Sequence, residues 1–165
     1  MINFARKNII PLFVIIGGSV LLLISFGMRH SMGLYLIPVS EHLNTGRELF
    51  SFASALNVLM VGIGSPIFGA LSDKYGSGKA SILGILMVIL SLFWMANVQG
   101  GFDIIASQTI FGFGCAGCGT AVVLGAVGRS VHQANRTLAL GIVMAAGSFG
   151  QFIMVPIIGF LIENL

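Results

Sequence analysis

Five stretches of this sequence carry no Asp, Glu, Lys or Arg: Ile9 to Met28, Leu49 to Ser72, Ala80 to Phe102, Ile104 to Gly128 and Thr137 to Ile162. A helix crossing about 30 Å of hydrocarbon needs roughly 20 residues, so each stretch is long enough to span a bilayer. In lipid only a helix or a closed barrel satisfies its own backbone, and these stretches are continuously apolar, which selects helices. Composition agrees, with 56% of residues hydrophobic, 8% charged and a mean hydropathy of +1.03. A soluble globule carries about 25% charge. A water-soluble domain, a disordered chain, a nucleic-acid module with a basic stripe and a secreted disulfide scaffold are therefore all excluded. Arg6 and Lys7 precede the first stretch as in a signal peptide, but that stretch is too long for an h-region and no A-x-A-like site follows it.

The predicted fold is an all-α, polytopic membrane helix bundle with helices over residues 10–39, 49–72, 80–99, 103–128 and 137–162. The connections are short, and no loop has room for a soluble domain. Orientation follows from the positive charges. With the N-terminus in the cytoplasm, the inner side holds Arg6, Lys7, Lys74, Lys79, Arg129 and Arg136, whereas the outer side holds only Arg47. The expectation is a multi-pass protein of a cell (inner) membrane, with residue 165 near the outer face.

Laid over itself with an offset of 90 residues, the chain places Pro66-Ile67-Phe68-Gly69-Ala70-Leu71-Ser72-Asp73 on Pro156-Ile157-Ile158-Gly159-Phe160-Leu161-Ile162-Glu163, matching Pro, Ile, Gly and Leu and setting an acid on an acid. The second helix enters from outside and the fifth from inside, so a repeat joining them is inverted, with three helices per unit. Such repeats are a feature of secondary transporters. Short matches of Pro and Gly also arise by chance in membrane helices. If the repeat holds, the third helix recurs near positions 170–192, and the chain is cut before a sixth helix.

The segment Gly69-Ala70-Leu71-Ser72-Asp73-Lys74-Tyr75-Gly76-Ser77-Gly78-Lys79 lies between the second and third helices on the inner side. It resembles the G-x-L-x-D-[RK]-x-G signature of the major facilitator superfamily. Gly69 allows close helix approach, Asp73 offers an anion at the membrane face, Gly76 permits a tight turn, and Lys74 and Lys79 hold the loop inside. The resemblance implies a twelve-helix fold of two six-helix halves, in which this loop latches the halves in the outward-facing state. Gly78 stands where the family often has a basic residue, which implies a weaker charge network. Gly27-Met28-Arg29-His30-Ser31-Met32-Gly33-Leu34 and Pro38, the Gly-rich fourth helix, and Arg136 with Leu138-Ala139-Leu140-Gly141 through Gly147-Ser148-Phe149-Gly150-Gln151 look like the monocarboxylate-transporter-like branch, with its oxalate and formate exchanger relatives. An Arg common near the start of the fourth helix in proton-coupled members is absent, with Gln108 at about that place.

Arg29 is the leading candidate for the substrate site. Under the offset, the fourth stretch maps onto positions 14–38 and puts Arg29 near the middle of the first helix. A charge there costs about 2.5–3.5 kcal/mol on insertion scales, so it should face a cavity or a partner. None of the five stretches contains an acid, which leaves a guanidinium suited to bidentate carboxylate binding. The alternative is that the first stretch alone spans and Arg29 snorkels to the outer surface. Asn57, Ser148 and Gln151 are polar groups inside their spans, and they are either cavity lining or interhelical hydrogen bonds. Tyr35, two turns beyond Arg29, is either a hydroxyl for the site or an interfacial anchor. His30 beside Arg29 is either a titrating partner or a headgroup-facing residue.

Other matches carry no chemistry. Gly112-Phe113-Gly114-Cys115-Ala116-Gly117 spells G-x-G-x-x-G, but it sits inside an apolar span with no strand before it. It reads as packing, with Gly112, Ala116 and Thr120, and again Gly117, Ala121 and Gly125, spaced four apart. Gly78-Lys79 lacks the flanking residues of a phosphate loop, and Cys115 with Cys118 lacks a second ligand pair. No nucleophile, base and orienting acid converge, so an enzyme is not indicated, and no cofactor, metal or nucleic acid is implied. The resemblance implies carriage of a small organic anion by alternating access, in a lipid bilayer, with a C-terminal half or another chain as partner and a coupling proton or counter-anion. A sugar or drug as substrate, or a truncated protein with no transport of its own, are the alternatives.

Overall fold

The computed structural model describes the backbone of residues 2–42 and 46–164, and the side chains of 11–41, 46–162 and 164. The elements are α1 (Ile2–Ser31), a 3-10 turn (Met32–Tyr35), α2 (Leu36–His42), α3 (Arg47–Tyr75), α4 (Ser77–Ala96), α5 (Gly101–Gly117), α6 (Thr120–Ser130), a second 3-10 turn (Gln133–Asn135) and α7 (Arg136–Asn164). They make five spans long and apolar enough to cross a membrane: Pro11–Glu41, Arg47–Tyr75, Ser77–Ala96, Gly101–Ser130 and Gln133–Ile162. The chain is a multi-pass membrane protein. Large apolar side chains such as Phe13, Ile16, Val20, Leu86, Phe93 and Phe152 stand exposed on the bundle surface.

Turns and caps follow from local chemistry. Gly76 closes α3 and opens α4 in one residue, with φ +93° and ψ 144°. That backbone conformation is strained for any residue with a Cβ, which is why the tight turn needs glycine here. At the opposite end of the bundle, the Asp103 carboxylate accepts the backbone N–H groups of Gln99 (3.0 Å) and Gly100 (3.2 Å) and the Trp94 indole N–H (3.2 Å). Asp103 thus caps α5 and ties it to the end of α4.

The fourth stretch, expected as one helix over 103–128, is two. α5 ends at Gly117, Cys118 and Gly119 leave the helix, and α6 begins at Thr120. Glycines on both sides of Cys118 make this the weakest point of the span. The break sits inside protein: Gly117 lies against Gly84, and the Cys118 thiol points to the Ser81 carbonyl at 3.7 Å. Irregular backbone at membrane depth is tolerated under that condition.

Helix pairs meet where side chains are absent. A Cβ on Gly112 would collide with the Asn57 carbonyl of α3, and one on Gly150 with the Leu23 carbonyl of α1. Gly114 and Gly117 abut Gly84 of α4 in the same way, so the Gly-rich segment does act as packing. In the second small-residue row only Gly117 packs in this way, because Ala121 is exposed and Gly125 lies beside the Arg129 guanidinium. The two largest crossings, α1 on α7 and α3 on α5, are the same contact under the 90-residue offset. Positions 57 and 112 map onto 147 and 22, and a Cβ on Gly147 would stand 3.5 Å from that of Leu22. The core falls into local clusters, among them Leu22, Val123, Val127, Ala139 and Val143 where α1, α6 and α7 meet, and Phe68, Ala80, Ala116 and Val122 where α3 to α6 meet.

Gly112→Val and Gly150→Val should each cost about 1–3 kcal/mol by forcing helices apart. Gly62→Val, at a position with open space around it, should stay within about 0.5 kcal/mol. Thermal unfolding in nanodiscs checks both, and equal losses at all three positions would contradict the close-approach account.

Candidate functional site

α1, α3 and α5 enclose a cavity of about 250 Å³. One side is Arg29 and His30 of α1 with Met32 and Gly33 of the 3-10 turn that follows, the α3 side is Ser54, Asn57 and Val58, and Gln108 of α5 closes the floor. Arg29 is half-buried, and among the described residues it makes no salt bridge and no side-chain hydrogen bond. Two of the sequence candidates, Arg29 and Asn57, are therefore brought to one place from helices that are separate in sequence.

The polar floor is a pair of neutral amides. Asn57 donates its Nδ2–H to Gln108 Oε1 at 2.8 Å, and the two side chains are 5% and 1% exposed. Among the described residues, the Gln108 amide nitrogen faces only the sulfurs of Met32 at 3.7 Å and Met95 at 3.8 Å. Thioethers are weak acceptors, so this amide is held in place by Asn57 and sulfur alone. Chemically the cavity offers one cation, neutral hydrogen-bonding groups and an apolar wall. Such a set suits a small anion with a polar body.

The structure does not bring Tyr35 or Gln151 to this cavity. Tyr35 packs with Met32 and Phe111 and with Phe50 and Ile104 toward the Asp103 end of the bundle. Gln151 is half-buried on α7. Gly147, the position equivalent to Asn57, meets Phe26 and Leu22. The pseudo-symmetry thus places an amide on one side and a glycine on the other. Gln108 entered the sequence reading only as the occupant of another residue's place. What would have singled it out is a Gln in a span whose neighbours are apolar, four residues before Gly112 on one helix face.

At the other end of the bundle, the signature loop is tied to the fourth span. Asp73 forms an ion pair with Arg129, whose second terminal nitrogen donates to Ser77 Oγ at 2.8 Å and Ser72 Oγ at 3.1 Å. Ser72 in turn donates to Ser77 at 3.0 Å. Both charges are substantially exposed, at 69% for Asp73 and 49% for Arg129, so the pair's stabilisation is small and its value is positional. Lys74 and Lys79 are exposed, with the Lys74 ammonium 5.2 Å from the Tyr75 ring centre. Arg136 folds its guanidinium over Gly128, where a Cβ would stand 2.7 Å from it. Gly69 departs from expectation: a Cβ there meets nothing within 4 Å, so none of these helices uses it for close approach. Among the described residues, no three His, Cys, Asp or Glu side chains gather as metal ligands, and Cys115 and Cys118 are buried free thiols.

The profile of the Major Facilitator Superfamily matches residues 15–165. The chain belongs to the Major Facilitator Superfamily. Among its relatives, monocarboxylate transporter 11 of Mus musculus is 26% identical over 86% of this chain and 31% of its own length. The MFS-type transporter pytF of Aspergillus terreus is 29% identical over 83% of this chain and 47% of its own. A probable vesicular acetylcholine transporter-B of Danio rerio is 28% identical over 70% of this chain and 22% of its own. The chain thus spans less than half the length of each of these relatives. No solved structure matches it significantly. In this family member the signature loop is the Asp73-centred turn just described, and the Arg29 cavity lies at the far side of the α3–α5 crossing from it.

Gln108→Leu should destabilise the bundle by about 1–3 kcal/mol, because it leaves the buried Asn57 amide without its partner. The double variant Asn57→Leu with Gln108→Leu should recover most of that loss. A double-mutant cycle read by unfolding in mixed micelles tests this, and strictly additive losses would exclude the pairing.

Proposed function

We propose that this chain is part of a Major Facilitator Superfamily secondary transporter that carries a small organic anion, monocarboxylate-like, by alternating access. The observation that carries the reading is Arg29, a cation without an acidic partner among the described residues, set in a cavity floored by the Asn57–Gln108 pair. A guanidinium in low dielectric is stabilised by a carboxylate that accepts two parallel hydrogen bonds, and the ligand's own charge is neutralised as it enters. Asn57 and Ser54 orient the substrate's remaining polar atoms. A relative named as a monocarboxylate transporter supports the same substrate class.

In this account the substrate moves between two faces as two halves rock about the site, and the Asp73–Arg129 turn biases which face is open. The N-terminus and the turns at Gly76 and Gln133–Asn135 lie in the cytoplasm, on the side where Arg6, Lys7, Lys74, Lys79, Arg129 and Arg136 cluster. The remaining wall of the pathway comes from a second half or another chain. A further apolar groove, between Leu21, Ile24, Ser25 and Met28 of α1 and Ile85, Val88, Ile89 and Leu92 of α4, supports that partnership. It occupies the α1 face that the offset equates with the α4-bearing face of α5, and a helix related to α4 would fit it.

A second reading, in which another solute such as a sugar, a drug or an amine is carried and Arg29 is structural, is favoured by the relative named for acetylcholine. Uptake of labelled lactate, pyruvate, formate and oxalate into proteoliposomes, by the full-length protein that contains this chain, separates the two. Arg29→Ala and Arg29→Lys should lower anion uptake at least about 100-fold, in line with a lost bidentate charge contact of roughly 3 kcal/mol. Insertion should be unchanged. Full uptake by Arg29→Ala would overturn the proposal.

A further inference from the structure

A second, larger cavity of about 830 Å³ opens at the basic end of the bundle, where α1, the 131–135 turn and α7 diverge. It is not continuous with the Arg29 cavity, because the packed cluster of Leu22, Val123, Val127 and Val143 stands between them. Its two parts differ in chemistry. The trough is walled by Leu12 and Ile15 of α1 and by Leu138 and Ile142 of α7, and three of these are strongly exposed, Leu12 at 55%, Leu138 at 69% and Ile142 at 49%. The rim is polar and carries Arg129, His132 and Asn135.

The rim has hydrogen-bond donors to spare. A guanidinium has five N–H groups, and the contacts of Arg129 with Asp73, Ser72 and Ser77 engage three of them. The Nδ1 of His132 accepts the Ala134 backbone N–H at 3.4 Å, and its Nε2 has no hydrogen-bond partner among the described residues. α7 starts beside this rim at Arg136, so its amino-end dipole adds positive potential. Among the described residues, no acidic side chain lines the cavity.

We propose that this cavity binds the headgroup of an anionic phospholipid of the adjoining leaflet, with the phosphate on the Arg129–His132 rim and the first acyl carbons in the Leu12–Leu138 trough. The apolar walls decide for a lipid over a free phosphate. They run along α1 and α7 in the membrane direction, and a small hydrophilic anion would leave them wet. Charge distribution favours an anionic over a zwitterionic headgroup: six of the eight Lys and Arg belong to this end of the bundle. Because Arg129 also holds Asp73, a lipid here shares its cation with the signature turn and steadies it without displacing the ion pair.

The test places the full chain in nanodiscs of phosphatidylglycerol and phosphatidylcholine in equal parts, then measures by native mass spectrometry which lipid remains bound after detergent extraction. Wild type should retain phosphatidylglycerol with about a five-fold preference, the value expected for one basic contact. Leu138→Trp, which fills the trough at an exposed position, should abolish the adduct, and His132→Ala should reduce the preference. The two variants act on different parts of the site, so a folding failure in one leaves the other decisive. Equal retention of both lipids by wild type would overturn the proposal, as would wild-type retention by both variants. Displacement of the adduct by inorganic phosphate alone would assign the rim to a free anion instead.

Discussion

Backbone-to-backbone approach at glycines is the constraint on which the rest of this structure depends. Lipid tails are as apolar as the helices they surround, so burying Leu or Phe between helices gains little, and association rests on tight van der Waals contact. The chain meets that requirement at Gly112 against α3, Gly150 against α1, and Gly84 against Gly114 and Gly117. The two principal crossings are related by one sequence offset, with α3 on α5 answering to α7 on α1. The α3–α5 crossing also sets the cavity: it brings Asn57 within hydrogen-bond reach of Gln108, and both line the space that Arg29 borders.

The fourth span links the two polar regions. Its α5 segment carries Gln108 at the cavity, and its α6 segment carries Arg129 at the signature turn. The break at Cys118 and Gly119 lies between them, cradled by α4 rather than exposed to lipid. The polar contacts are few and each has a distinct task. Asp103 caps a helix, Gly76 reverses the chain at positive φ, and the Asp73–Arg129 pair fixes where that reversal sits.

Much of the fold was legible in the sequence because the membrane imposes simple rules. Five uncharged stretches can only be five spans, and the Asp73 signature marks the superfamily before any contact is known. The interior of the fourth span was less legible. Gly117 reads as a packing residue, and whether it breaks a helix depends on whether α4 supports the freed backbone, which no local pattern states. The site was legible in part for a similar reason. Arg29 stands out as a lone charge in an apolar helix, and Asn57 as a lone amide. The partner of Asn57, Gln108, is 51 positions away, and Arg129 is 56 from Asp73. Such pairings are products of helix packing. Tyr35 has the right chemistry at a plausible depth, but the 3-10 turn packs it with Met32, Phe111, Phe50 and Ile104, and Gln151 is not among the residues that line the cavity.

The central claim is that Arg29 lends its charge to a water-accessible cavity bordered by Ser54. It is tested most directly by placing a cysteine at Ser54, with Cys115 and Cys118 replaced by Ala, and comparing its reaction rates with anionic and cationic methanethiosulfonates of similar size. The account predicts faster modification by the anionic reagent, protection by added carboxylate, and loss of both effects when Arg29 is Gln. Equal rates for the two reagents with Arg29 in place, or no protection by any carboxylate, would contradict it.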